Sequence, residues 1–233
     1  MLSFSKKYLP DFLHLFYPHN CEGCGSDILY DTQFLCTRCT QRLPATDFFT
    51  NPFNPIEKLF YGRCDVVHAG AAYYFTKDSL LQHLLVQLKY RNNKEAGYFL
   101  GRMMGQSLIL SKRFDDVDAL IPLPLNRKKE YMRGYNQALL ICEGISRVWH
   151  KPVLKDAVGR TRFTETQTHQ NRVSRWQNME GVFEVTRPDL LQNKHVLLVD
   201  DVITTGATLE ACGSLIAKTD GARLSIAAAA YTI

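Results

Sequence analysis

From residue 66 onward, short apolar runs alternate with longer stretches in which apolar residues recur every three or four positions. The short runs read as strands: VVHAGAAYYF (66–75), DALIPLPL (118–125), GVFEV (181–185), HVLLVDD (195–201) and RLSIAAAAYTI (223–233). The longer stretches at 79–90, 96–110, 135–149 and 207–219 carry helical spacing. Strands alternating with helices predict an α/β domain with a mainly parallel sheet flanked by helices. Upstream, Leu9, Phe12, Leu13 and Phe16 fall at helical spacing and predict a short amphipathic lead helix. Between them, residues 44–65 contain Pro44, Pro52 and Pro55 and read as a linker or irregular segment. The expected division is 1–43, lead helix and cysteine module; 44–65, linker; and 66–233, the α/β domain.

Composition changes this picture little. Of 233 residues, 45% are hydrophobic and 22% charged, the balance of an ordinary globular protein that can bury a real core. A formal charge of +5 admits an anionic ligand or nucleic acid but selects neither. No apolar run approaches the roughly 18 residues needed to cross a bilayer, so no membrane span is expected. Asp11 and His14 interrupt the N-terminal apolar residues, which therefore do not read as a secretory signal. A cytoplasmic protein is the expectation.

Cysteine usage agrees. Cys21, Cys24, Cys36 and Cys39 form two Cys-x-x-Cys knuckles separated by eleven residues. Two knuckles can present four thiolates tetrahedrally, which suits a structural Zn2+ with a closed shell. A redox pair and an iron site are the alternatives. Cys64, Cys142 and Cys212 have no partner at ligand spacing and read as small apolar residues.

The candidate chemistry sits at HVLLVDDVITTGATLEAC (195–212). Val196 to Val199 form a run fit for a strand buried on both faces, and Asp200-Asp201 mark its expected carboxyl end, where open α/β sheets bind ligands. Thr204, Thr205, Gly206, Ala207 and Thr208 fall where the next helix starts. Glycine lets the backbone approach a ligand, while helix-end N–H groups and threonine hydroxyls supply donors, an arrangement for a phosphate monoester. Two carboxylates beside a phosphate need other partners. A ribose diol suits them, and Mg2+ can gather there. The plainer alternative is a threonine-capped helix after a buried strand.

A second stretch, LIPLPLNRKKEYMRGYNQA (120–138), ends a strand on Pro122 and Pro124 and then supplies Arg127, Lys128, Lys129 and Arg133. These cations can reach a pyrophosphate or can simply form a solvated face. The polar segment 160–185, with Arg162, Thr164, Gln167, Arg175 and Asn178, reads as a lid over the site or as an irregular segment.

VLLVDDVITTGAT resembles the phosphoribosyl pyrophosphate (PRPP) motif of type I phosphoribosyltransferases. That resemblance implies that Asp200 and Asp201 contact the ribose hydroxyls and that Thr204 to Thr208 hold the 5-phosphate. In order along the chain, FYPHNCEGC, LKY, PLPLNRKKEYMRGYNQA, RTRFTETQ, RWQNMEGVF and VLLVDDVITTGAT together resemble the ComF family of phosphoribosyltransferase-like proteins. Trp176 and Gln177 depart from the further basic residues the family often has there. The resemblance implies a type I phosphoribosyltransferase fold carrying a small N-terminal zinc ribbon built on four cysteines. It also implies a bacterial role in uptake of single-stranded DNA during natural transformation.

Two functions of different class follow. One is a binding module that keeps PRPP and Mg2+ as ligands and works on single-stranded DNA beside a competence helicase partner. The other is a true phosphoribosyltransferase acting on an unidentified acceptor, such as in an amidophosphoribosyltransferase-type reaction, with pyrophosphate leaving C1. In that case Asp200 and Asp201 would stabilise charge developing on the ribose. A nucleotide-sensing zinc-ribbon regulator is a third.

Overall fold

A computed structural model describes residues 19–27, 33–160 and 182–232. Strands β1 (Ala69–Phe75), β2 (Ala119–Pro122), β5 (His195–Ile203) and β6 (Arg223–Thr232) form a parallel sheet in the order β1-β6-β5-β2. The helices are α1 (Thr37–Gln41), α2 (Pro55–Phe60), α3 (Leu80–Tyr90), α4 (Lys94–Ser111), α5 (Arg127–Arg133), α6 (Gln137–Trp149) and α7 (Ala207–Ile216). The expected α/β architecture with a parallel sheet flanked by helices is what the chain forms.

The two-residue period of the strands sorts their side chains onto two cores. Leu197 and Val199 of β5 join Leu120, Ala227 and the apolar faces of α3, α4 and α6. Val196 and Leu198 join Ile121, Ile226 and the buried residues of α2 and α7. Because both faces are covered, β5 is apolar at every position from Val196 to Val199. On the first face α4 and α6 approach very closely. A Cβ built on Gly101 would lie 2.8 Å from Gly144 Cα, so only glycine fits where the two backbones meet.

Three features differ from the sequence expectation. β5 does not stop at the acidic pair; Asp200 and Val202 still register with Ala228 and Ala230 of β6, and the strand runs to Ile203. The GVFEV run is no strand of the main sheet. Its residues Phe183–Val185 form β4, which pairs antiparallel with β3 (Val158–Arg160) as a separate ribbon. Residues 44–65, expected as a linker, are built into the domain. Tyr74 donates its N–H to Pro44 O (2.8 Å) and Thr46 to Ala72 O (3.0 Å), so this segment lines the outer edge of β1. Asn54 caps α2 through its side-chain oxygen and donates its amide to the carbonyls of Phe48, Asn51 and Ala69. Phe48, Phe49, Ile56 and Phe60 are buried. At the other edge, Val153 bridges β2 through Leu120 N–H to Pro152 O (2.9 Å) and Leu154 N–H to Leu120 O (2.8 Å).

The lead helix and the segment with Arg162, Thr164, Gln167, Arg175 and Asn178 lie outside the described residues. No described helix is long and apolar enough to cross a membrane.

Candidate phosphoribosyl and metal sites

The sheet's topology reverses between β2 and β5. α6, which follows β2, packs on one face, whereas α7, which follows the neighbouring β5, packs on the other. β2 ends at Pro122 opposite Val199, while β5 continues for four more residues. Ligands of open α/β sheets bind at the carboxyl ends of strands at such a point.

Asp200 and Asp201 stand on this extension of β5, past its pairing with β2, and alternation sends their side chains toward opposite faces. Each already has a partner. Asp200 Oδ1 accepts the N–H of Asp201 (2.8 Å). Asp201, which is buried, has Oδ2 3.0 Å from Lys89 Nζ in the last turn of α3. The surrounding protein takes the Asp200 carboxyl out of water and the Asp201 charge opposes its ionisation, so its pKa is pushed up to about 8; Lys89 and Arg133 pull it back in part.

Past the dyad, the chain turns into α7 through Thr204, Thr205 and Gly206. Gly206 is the residue before the helix, with φ +72°, and a Cβ there would also meet the Phe60 ring at 3.2 Å. Gly206 has no side chain to cap α7, and Thr205 Oγ1 accepts the Ala207 N–H over a long 3.5 Å. The N-cap position is therefore glycine, with a threonine contact only from the residue before it. The two threonines are exposed, and the first N–H groups of a ten-residue helix lie at the carboxyl end of β5 with the positive end of the helix dipole. Arg63 steadies the turn: its guanidinium donates to Thr205 O (3.4 Å) and pairs with Glu210 in the first turn of α7.

The four basic residues of the second stretch separate. Arg133 is half-buried, donates to Gln137 Oε1 (2.7 Å) and acts on the Asp200 carboxyl. Arg127, Lys128 and Lys129 are exposed along α5. Asn126 caps α5 through Lys128 N–H, and Asn136 holds the return by bonding Leu123 O (3.0 Å). Lys89 and Arg63 were missed by the sequence reading. Lys89 follows the buried Leu88 in an amphipathic helix, and only the sheet packing shows that it meets the dyad.

The cysteine quartet is brought together. The Sγ atoms of Cys21, Cys24, Cys36 and Cys39 lie within 4.8 Å of one another. Cys21 Sγ accepts the N–H of Cys36 (3.2 Å) and of Gly23 (3.4 Å), contacts that stabilise a thiolate. Burial and the neighbouring thiols push Cys39 up to about 12. A crowd of this kind fits a metal cation, which would offset the mutual repulsion of four thiolates. The module rests on α3: Cys21 and Cys39 share a core with Leu81 and Leu84, and Glu22 meets Gln87 (3.4 Å). Cys142 and Cys212 are buried and Cys64 is half-buried, as expected of residues outside the ligand set.

At the other end of the sheet, Asp116, His195 and Ser225 line up like a hydrolase triad, at 3.1 and 2.9 Å. Ser225 is fully buried and its Oγ accepts the N–H of His68, so it is a structural group remote from the crevice.

The chain is similar to known proteins. The phosphoribosyl transferase domain family matches residues 137–232, which contain the dyad and α7. The chain is 28% identical to DNA utilization protein YhgH of Escherichia coli O157:H7 over 209 residues, 88% of this chain and 81% of that one. It is 29% identical to competence protein F of Haemophilus influenzae, covering 85% of this chain and 78% of the relative. Competence protein ComFC of Bacillus subtilis matches over 137 residues at 29% identity, 58% of this chain and 52% of ComFC. With a parallel-sheet phosphoribosyl transferase domain, a clustered cysteine quartet and these relatives, the chain is similar to the ComF family of phosphoribosyltransferase-like proteins.

Proposed function

We propose that the crevice between β2 and β5 binds PRPP with Mg2+ and that the protein serves the handling of single-stranded DNA during uptake, beside a helicase partner in the cytoplasm. The observation that carries the ligand is the N-terminus of α7, entered through Gly206 at φ +72° shortly after the acidic dyad. The 5-phosphate takes the N–H groups and hydroxyls of Thr204 to Thr208, with Gly206 and Ala207 supplying backbone. The ribose hydroxyls take Asp200 and Asp201, exchanging with Lys89. Arg133 and the released Lys89 face the pyrophosphate. Mg2+ supplies charge neutralisation between the dyad and the phosphates. Zn2+ held by the cysteine quartet is structural. The DNA role is supported by the names of the relatives, DNA utilization and competence proteins.

A second reading, true phosphoribosyl transfer, is favoured by the cations gathered beside the dyad. There the C1–O bond breaks, pyrophosphate leaves with its electron pair, and an acceptor nucleophile bonds to C1.

Thermal unfolding with and without PRPP and Mg2+ tests the binding reading. Wild type should melt higher with ligand, and Asp200→Ala with Asp201→Ala should lose the shift. An unshifted wild type removes both readings. Pyrophosphate release that depends on an added acceptor separates the second from the first.

A further inference from the structure

α5 is anomalous. It is the one α-helix among the described residues that buries no residue. Seven residues do not hold a helix by themselves, so α5 is kept in place by its caps: Asn126 at the start and Gly134, at φ 77°, at the end. A helix maintained without contributing to a core is available for something outside. Its outward residues have a distinct chemistry. Tyr131 is 91% exposed and Met132 72%, an unusual cost for large apolar groups unless they meet a partner. Arg127, Lys128 and Lys129 surround them, with Glu130 as the only acid in the helix. The surface continues onto the end of α3. Tyr90 is 72% exposed, and Arg133 lays its guanidinium over that ring, 5.6 Å from the centroid. Arg91 is exposed beside it.

Cations interleaved with single exposed aromatic rings suit a flexible polyanion whose bases are unpaired. Duplex bases are already stacked and cannot use the rings, and a protein partner would be met by a contiguous apolar patch rather than isolated plates. We infer that α5 and the end of α3 form a track for single-stranded DNA, with Tyr131 and Tyr90 stacking on bases and Arg91, Arg127, Lys128 and Lys129 contacting phosphates. Through Arg133 the track adjoins the ribose pocket. The inference deepens the DNA role proposed above and rests on it.

Fluorescence anisotropy of a labelled oligothymidylate across a salt series tests it, using the full chain. Wild type should bind, more weakly as salt rises, and should prefer the single strand to its duplex. Tyr131→Ala should weaken binding about 5- to 30-fold, whereas Tyr131→Phe, which keeps the ring, should not. Charge reversal at Arg127, Lys128 and Lys129 together should remove most of the affinity and flatten the salt slope. All are exposed positions, and the Tyr131 variants should keep the wild-type melting temperature and its PRPP shift. If wild type binds no oligothymidylate at low salt, the DNA role fails and the track with it. If wild type binds and every variant binds equally well, the track alone is overturned, and a protein partner becomes the occupant of this face. Equal weakening by Phe and Ala would overturn the stacking.

Discussion

Lys89 Nζ sits 3.0 Å from Asp201 Oδ2, so the last turn of α3 supplies the counter-ion for the candidate ribose-binding carboxylate. Both side chains are mostly withdrawn from solvent, at 22% and 12% exposure. Salt screening therefore weakens this pair less than a surface one. Any diol or metal ion that claims Asp201 has to compete with an ammonium already in place.

Removing that ammonium leaves the buried Asp201 carboxylate without its counter-ion. Lys89→Met should lower stability by about 1–3 kcal/mol, read by urea unfolding at neutral pH. It should also strengthen binding of Mg2+ alone, read by calorimetry. A variant as stable as wild type would show that the pair contributes nothing.

Asp200 predicts a pH dependence with a defined sign. Its folded pKa of about 8 lies above the unfolded value of about 3.9, so the folded state holds the extra proton between them. The contribution is complete below about pH 4 and is lost as pH rises to about 8. Asp200→Asn lacks it, so its stability advantage over wild type should widen through that window. Ligand binding through the ionised dyad should likewise release a proton, visible as a buffer-dependent heat that the Asn variant lacks.

Gly206 is held at φ +72° against the Phe60 ring. Gly206→Ala should cost about 1–2 kcal/mol from the backbone alone and abolish the PRPP-dependent melting shift. Thr204→Ala should keep the fold and only weaken the shift. The two separate a distorted turn from a lost hydroxyl.

The cysteine cluster predicts a single bound zinc ion per chain by elemental analysis. Chelation or Cys39→Ser should lower the melting temperature, because Cys39 is buried against the core beneath α3. Cys142→Ser should leave the metal content unchanged.

Ser225→Ala should leave PRPP binding untouched while perturbing His195 and His68, which it contacts at 2.9 and 3.2 Å. Lost ligand binding in that variant would contradict its structural assignment.

What the sequence revealed followed from range. Helices and strands with strong periodicity, such as Gln137–Trp149 and the Val196–Val199 run, were readable because each is specified by its own residues. The turn at Thr204–Gly206 was readable for the same reason, since glycine and small hydroxylated residues announce the geometry locally. Features that depend on distant partners were hidden. Asp200 looked like a strand end because nothing local shows that β6 keeps pairing to Ala230. Lys89 carried no local signal because Asp201 is far away along the chain. The run of Arg127, Lys128, Lys129 and Arg133 looked like one cluster, yet helical rotation gives only Arg133 to the pocket side. Asn54 looked like part of a tether, although it gathers three carbonyls from separate turns and β1.

The Pro44–Thr46 stretch along β1 also bears on how this protein can be divided. It occupies backbone groups that would otherwise be open to any passing extended peptide. A shortened protein beginning at residue 66 would keep the acidic dyad and α7 but lose Phe60 and Arg63 from the turn between them, and would bare that margin, inviting sheet-to-sheet association between molecules. Genetic dissection of the cysteine module from the rest should therefore be made ahead of Pro44, so that the protective selvage stays attached to the sheet.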